Sequence, residues 1–531
     1  MTIDAIRLQN FMAFEDTGWL ELRPITLLFG RNSSGKSAFI RALLLLRQSL
    51  NSAQAGDPFL FESPHGVDIG GFKEMVHNGQ VDGHVWFHFR CSSSDIQVAL
   101  EKHGITAPGT PSPAALQIAL GYAAQRETQE KIDLSRIELA DLQIRLVGDD
   151  QENGSLLFQT GLLKPEDVGL FEGERRYVEG LLTHHGQPGA WMGFDCKLAR
   201  GFLDLEFIDP QAGAPDDYQC LKDLFRILKE EVAGFLQNIV HLGPIRPEPQ
   251  RRYSFDRTAA SEWRARDWTA FFNLIGGKLG QDKIEEINAW LRRLRLAVGA
   301  DPRPASEIGA LVAEFEIAIK ETDQSSPLPL SAMGFGTAQV LPVIVQCVTA
   351  DPGTLVIVEQ PELHLHPRGQ AWLGDLYPAV IRRDIRAQRR SCREAIPPRP
   401  PKPSPDTLSP SVQRYLLETH SEHFLLRLRR CIAETHLKSL RNKLETPDQD
   451  AAIPELECRP LLWPGDTAVY FVDRPVSSSV SRIVALEIDR FGDLPSQPQG
   501  FAEFFSDDAK EILALTKAAL TAEGLEENRG V

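Results

Sequence analysis

The chain has 531 residues, with 57 Lys and Arg against 73 Asp and Glu, a net charge of −16, and 42% hydrophobic residues. This is ordinary globular material, and the acidic balance excludes a generally basic, DNA-coating surface while leaving room for a local basic patch. No apolar run approaches the ~18 residues of a membrane span, the opening residues carry no leader pattern, and the 7 cysteines lack any C-x-x-C pair, so a cytoplasmic protein without membrane contact or structural zinc is expected.

Thr2 to Phe11 alternates apolar and polar residues, the pattern of an edge strand, and Phe14 with Trp19 to Leu22 extends it into a small meander. Ile25 to Phe29 is a short apolar run that predicts a buried strand. The next eight residues, Gly30-Arg31-Asn32-Ser33-Ser34-Gly35-Lys36-Ser37, read G-x-x-x-x-G-K-S, and Ala38 to Leu46 is an apolar run of helix formers. Strand, glycine loop and helix together aim backbone N–H groups and a helix N-terminus at a polyphosphate. The pattern therefore assigns a nucleoside triphosphate to Gly30, Asn32, Ser33, Ser34, Gly35, Lys36 and Ser37. Lys36 would reach the β- and γ-phosphates, and Ser37 would offer its hydroxyl to Mg²⁺.

These opening strands followed by an N-S-S-G-K-S loop resemble the ABC-type ATPases of the SMC, RecF and OLD group, and Arg31-Asn32 inside the loop fits that group. The resemblance implies an α/β fold: a P-loop head with a mixed central sheet, a helical insertion and a small C-terminal α+β region. On it the chain divides into an N-terminal half of the head (1–92), an inserted arm or helical region (93–240) and a C-terminal half of the head (241–382). A basic, Pro-rich insert (383–411) and a strand with the C-terminal domain (412–531) complete it.

Val67 to Gly79 is either a nucleotide-sensing loop, as its position suggests, or a plain turn, as Gly70-Gly71 and Asn78-Gly79 suggest. Residues 93–240 carry no nucleotide motif. Their clearest element is the helical spacing from Tyr218 to Ile239, and no heptad run is long enough for an SMC-length coiled coil. Arg246, in a Gly-Pro turn after an apolar strand, reads as a phosphate-facing arginine or as a solvated turn residue. Asp282 to Leu296 reads as an amphipathic helix.

In Ser331-Ala332-Met333-Gly334-Phe335-Gly336-Thr337-Ala338-Gln339, a serine, two glycines and a glutamine open the apolar helix Val340 to Val348, again an anion-favouring N-terminus. The segment resembles the ABC signature, and on that resemblance Ser331, Gly334, Gly336 and Gln339 contact the γ-phosphate held by an opposite protomer. Its serine is displaced from the usual place beside the glutamine.

Leu355 to Val358 predicts a buried strand that delivers Glu359 to its C-terminal tip, beside the P-loop hydroxyl, where Mg²⁺ must sit. Ser37 and Glu359 are thus the expected metal residues. Glu359-Gln360-Pro361-Glu362-Leu363-His364-Leu365-His366-Pro367 closely matches the Walker B strand end and following loop of OLD-like ATPases, and Pro367 starts a helix. Most ABC-type ATPases place a glutamate general base where this chain has Gln360, and an amide cannot accept a proton from water. Three outcomes stay open: Glu362 is the base, Gln360 orients water, or hydrolysis is slow.

Arg382 to Lys402 and the following prolines form an exposed, polyproline-like insert, a linker or an acidic-partner or nucleic-acid contact. Val412 to Thr419 is an apolar strand ending in Thr419-His420-Ser421. His420 would face the γ-phosphate, and it resembles the switch histidine of these ATPases. The catalytic set is therefore Glu359, Gln360, Glu362 and His420. The tail is similar to a short C-terminal domain that accompanies prokaryotic ATPases of this type, and it has no TOPRIM nuclease pattern. The resemblance implies ATP and Mg²⁺ as cofactors, a homodimer or higher homo-oligomer, and a separately encoded, nuclease-like effector in anti-phage defence or DNA metabolism. Direct DNA binding in repair, or a non-hydrolysing nucleotide-gated scaffold, are the alternatives.

Overall fold

A computed structural model of the chain describes residues 3–50, 59–63, 66–80, 84–91, 116–124, 132–139, 142–148, 154–159, 191–198, 205–207, 216–246, 248–256, 269–275, 278–308, 312–383, 412–444, 461–475, 478–496, 498 and 501. The chain opens with β1 (Ile3–Phe11), β2 (Phe14–Asp16), β3 (Leu20–Glu21), β4 (Ile25–Gly30), α1 (Lys36–Ser49), α2 (Phe72–Met75) and β5 (Val85–Cys91). Then come β6 (Leu116–Ala124), β7 (Ile132–Leu139), β8 (Leu142–Gly148), β9 (Gly154–Gln159), β10 (Trp191–Leu198), β11 (Leu205–Phe207), α3 (Asp216–Gln237), β12 (Ile239–Leu242), β13 (Tyr253–Asp256), α4 (Thr269–Ile275) and α5 (Gln281–Arg293). The rest comprises β14 (Gly299–Ile308), β15 (Val312–Lys320), β16 (Leu328–Pro329), α6 (Phe335–Thr349), β17 (Leu355–Glu359), α7 (Pro367–Leu373), β18 (Arg414–Thr419), α8 (Glu422–Leu444), β19 (Thr467–Asp473) and β20 (Arg482–Leu486).

The central sheet has six strands in the order β12-β17-β18-β4-β19-β20. All neighbours run parallel except the β19–β20 pair, so the sheet is mixed, as expected. Its inner strands are apolar on both faces because both faces are covered. On one side Leu28, Leu355, Ile357, Leu416, Tyr470 and Val472 join a core with α1 and α3. On the other, Ile25, Leu27, Phe29, Val356, Val358, Tyr415 and Leu417 join a core with α6 and α8. The order places β18 between the P-loop strand β4 and β17, and all three tips lie at one end of the sheet.

Two features differ from the sequence reading. β1 is not an edge strand: it pairs with β2, β3 and β5, inside a ten-stranded antiparallel sheet. Where a helical insertion is expected, the described residues from Leu116 to Phe207 are strands that extend this sheet, and only α3 is helical, over the stretch whose apolar spacing predicts it. Short apolar runs of this length do not distinguish a strand from a helix by periodicity alone. The Pro-rich stretch from 384 to 411 lies outside the described residues. Of the basic residues before it, Arg382 pairs with Asp466 and Arg383 with Glu286 at 2.7 Å, so these two are structural.

Candidate nucleotide and metal site

β4 ends at Gly30, and the chain turns through 31–35 into α1. Gly35 stands in the N-cap position at φ 106, with no side-chain cap on the helix, which leaves the helix N-terminus open to an anion. A Cβ at Gly30 would lie 2.1 Å from Val472 O, so only glycine lets the loop lie this close to β19. At Gly35 a Cβ would crowd the side chains of Ser481, at 2.9 Å, and Ala13, at 3.1 Å. Asn32 and Ser33 are exposed at the turn, with Ser33 at φ 59, whereas Ser34 is buried with no partner for its hydroxyl.

Lys36 is buried, and its Nζ donates to Gly30 O at 3.0 Å and Arg31 O at 2.6 Å. Burial lowers its pKa, while the charges of Glu418 and Glu362 pull the other way. Ser37 Oγ donates to Glu418, at 3.0 Å to Oε2 and 3.2 Å to Oε1. Glu418 is the penultimate residue of β18, paired in register with Glu359 on β17 and Leu28 on β4. Its pKa is raised by burial and by the like charge of Glu359 beside it, against the pull of Lys36 and Ser37.

Glu359 stands at the tip of β17, as expected, and its Oε1 accepts from His241 Nε2 of β12 at 2.7 Å. Gln360 follows in the left-handed region at φ 45, anchored by its N–H to Glu418 O at 2.7 Å. Glu362 is buried. Its Oε1 accepts from Thr419 Oγ1 at 2.7 Å and from the His420 N–H at 3.0 Å, and its Oε2 has no partner. Burial raises its pKa against those hydrogen bonds. His420, one residue past β18, sits by the P-loop. Burial and the charge of Lys36 lower its pKa to about 4, against a hydrogen bond with the Gly30 backbone, so the ring is neutral at pH 7.

Arg246 is not the solvated turn residue of one expectation. It is 2% exposed, beneath the strand tips, and its Nη2 donates to Glu359 O at 3.0 Å and Gln360 O at 3.3 Å. Nε and Nη1 are buried without partners. Its own carbonyl accepts from Gln339 Nε2 at 3.4 Å, so Gln339 is turned into the core. Ser331 and Gly334 are exposed before α6, and Gly336 packs so closely that a Cβ would lie 2.8 Å from His364 O. The Phe335 and His364 rings meet edge-on at 4.7 Å. Thus the described contacts of the signature-like segment run to the turn after β17 and to Arg246, not to the P-loop. His366 is the N-cap of α7 and accepts from Arg368 N at 3.3 Å.

Ser37, Lys36, Glu359 and His420 lie at the ends of three neighbouring strands, β4, β17 and β18. Glu418 and His241 were missed, although a carboxylate two residues before the histidine, at the tip of an apolar strand, was a readable signal. The site fits a nucleotide: the glycine-only loop, the buried lysine and the orphaned Ser34 hydroxyl make a phosphate cradle. It also fits Mg²⁺, because one hydroxyl and two carboxylates offer only hard oxygen donors. Among the described residues no group of three or more His, Cys, Asp or Glu gathers as a metal cage. No described helix is long and apolar enough to cross a membrane.

Residues 218–424 match the family model described as "AAA domain, putative AbiEii toxin, Type IV TA system", a span that includes Glu359, Gln360, Glu362 and His420 but not the P-loop. No curated protein matches the sequence. Among solved structures, an SMC head bound to the C-terminal winged-helix domain of ScpA is 9% identical, at TM-score 0.38, over 92% of this chain and 99% of that one. The SMC head domain from Thermotoga maritima is 10% identical, at TM-score 0.34, over 92% and 100%. An Smc head bound to a ScpA domain from Pyrococcus furiosus is 10% identical, at TM-score 0.34, over 97% and 99%. Likenesses this loose carry no weight for function. The P-loop, the sheet order and the matched AAA domain give this chain the α/β fold of a nucleotide-binding P-loop ATPase.

Proposed function

We propose that this chain binds ATP with Mg²⁺, hydrolyses it slowly, and works as a nucleotide-driven switch for a separate effector in anti-phage defence or DNA metabolism. The observation that carries the reading is the convergence of Lys36 and Ser37 with the carboxylates of Glu418 and Glu359 and the neutral imidazole of His420. Bound Mg²⁺ would neutralise phosphate charge. Around it, the P-loop would hold the phosphates, His420 would face the terminal phosphate from the strand tip, and Gln360 would orient water without taking its proton. The toxin–antitoxin description of the matched domain supports a switch in a defence-type system. The exposed Ser331, Gly334 and Phe335 support a second head docking on that segment.

Solution mass and partner capture test it. Wild type is expected to gain mass with ATP and Mg²⁺ and to hold an effector stoichiometrically, and Lys36→Ala is expected to do neither. Equal mass with and without nucleotide in both proteins contradicts the switch. Gln360 favours one second reading, a scaffold gated by ATP binding alone, and tight binding without turnover would establish it.

A further inference from the structure

We propose that Glu418, with Ser37, supplies the protein oxygens that bind the divalent cation accompanying the nucleotide, and that Glu359 is the outer carboxylate. This rests on the nucleotide reading above and departs from the sequence expectation, which gave the carboxylate role to Glu359.

The sheet order carries the argument. β18 is the direct neighbour of the P-loop strand and β17 lies beyond it, with Glu359, Glu418 and Leu28 in register. At about 4.8 Å per strand, Glu418 stands one strand from the P-loop strand and Glu359 two, roughly 10 Å away. The two carboxyl groups touch each other, but only Glu418 reaches the P-loop hydroxyl. Both Glu418 oxygens lie on the Ser37 hydroxyl, at 3.0 and 3.2 Å. Glu359 is instead held from the far side by His241, at 2.7 Å.

Glu418 is also a buried carboxylate with no direct ion pair among the described residues. It is 5% exposed, and its direct hydrogen-bond donor is a neutral hydroxyl. The nearby ammonium of Lys36 is spent on the carbonyls of Gly30 and Arg31. Among the described residues no cationic side chain forms an ion pair with it. Buried carboxylates are paired or bind metal. A Mg²⁺-sized ion that keeps its waters and phosphates needs one or two protein carboxylates and a hydroxyl, as found here.

Mn²⁺ serves as the probe, because its bound and free forms separate by electron paramagnetic resonance without any turnover. Mn²⁺ affinity is measured on the full chain with a non-hydrolysable ATP analogue, in wild type, Glu418→Gln and Glu359→Gln. Metal-free analogue binding, in chelator, runs in parallel. Glu418→Gln is expected to weaken Mn²⁺ by about tenfold or more, and Glu359→Gln by much less, with metal-free binding intact in both. The reverse order overturns the inference and leaves the nucleotide reading standing. Absence of analogue binding by wild type overturns both. Should Glu418→Gln fail to fold, anomalous scattering from Mn²⁺ in wild-type crystals with the analogue decides: an ion beside Ser37 and Glu418 supports the assignment, and an ion on Glu359 alone refutes it.

Discussion

Glu362 Oε1 accepts the backbone N–H of His420 at 3.0 Å, and with it the Thr419 hydroxyl at 2.7 Å. This carboxyl pins the tip of β18, which carries both the histidine and Glu418. On the proposed reading Glu362 is a positioning group, because its bonded oxygen needs only to accept. Glu362→Gln keeps an acceptor, so turnover is expected to stay within about threefold of wild type. Glu362→Ala orphans the buried donors and is expected to cost about 1–3 kcal/mol of stability in a denaturant titration. Loss of turnover in a folded Glu362→Gln protein would instead make Glu362 the general base.

Arg246 is a buried charge with two unpartnered nitrogens, a liability for stability that its geometry explains. Its Nη2 holds the carbonyls of Glu359 and Gln360, and its own carbonyl ties down Gln339 of α6. Removing the guanidinium leaves those two carbonyls without their donor, which costs stability. Arg246→Met is therefore expected to lower the melting temperature and also to lower turnover by about tenfold, with ATP affinity unchanged. A variant that melts lower with turnover unchanged would make Arg246 a purely structural residue.

Gln360 occupies the place of the expected general base, in a left-handed conformation held by its N–H on Glu418 O. Gln360→Glu restores a proton acceptor there, and turnover is expected to rise by about tenfold or more. Unchanged or lower turnover would remove the slow-hydrolysis account of this residue.

His88 gives the fold a pH signature away from the site. Burial first, and then the charge of Arg7, lower its pKa to about 4, against the pull of Asp16. Its Nε2 meets Gln9 Oε1 at 2.9 Å, and its ring stacks on Trp86. The unfolded chain takes up a proton near the ordinary 6.5, while the folded chain resists until about 4. Stability is therefore present above pH 6.5 and lost as pH falls towards 4, with a slope of up to about 1.4 kcal/mol per pH unit. His88→Phe keeps an aromatic ring on Trp86 and is expected to flatten that slope in denaturant titrations from pH 7 to 4. An unchanged slope would place the proton uptake elsewhere.

The parts legible in the sequence were those whose signal is local. Ile25 to Ser37 announced strand, loop and helix, and the apolar runs before Glu359 and His420 announced two more strand tips. What stayed hidden depends on pairing. Nothing near Thr467 says that β19 lies against β4, with Val472 O touching Gly30, because that contact joins residues from opposite ends of the chain. The same limit hid Glu418: its nearness to Ser37 follows from β18 lying between β17 and β4. It also made β1 look like an edge, since alternation shows which face is buried but not how many neighbours a strand has.

The most direct test of the nucleotide reading is ATP binding and turnover in wild type and Lys36→Ala. Tight binding with slow, Mg²⁺-dependent turnover in wild type, both lost in a folded Lys36→Ala protein, is the predicted result. Turnover that survives in Lys36→Ala, or a wild type that binds no nucleotide, would contradict it.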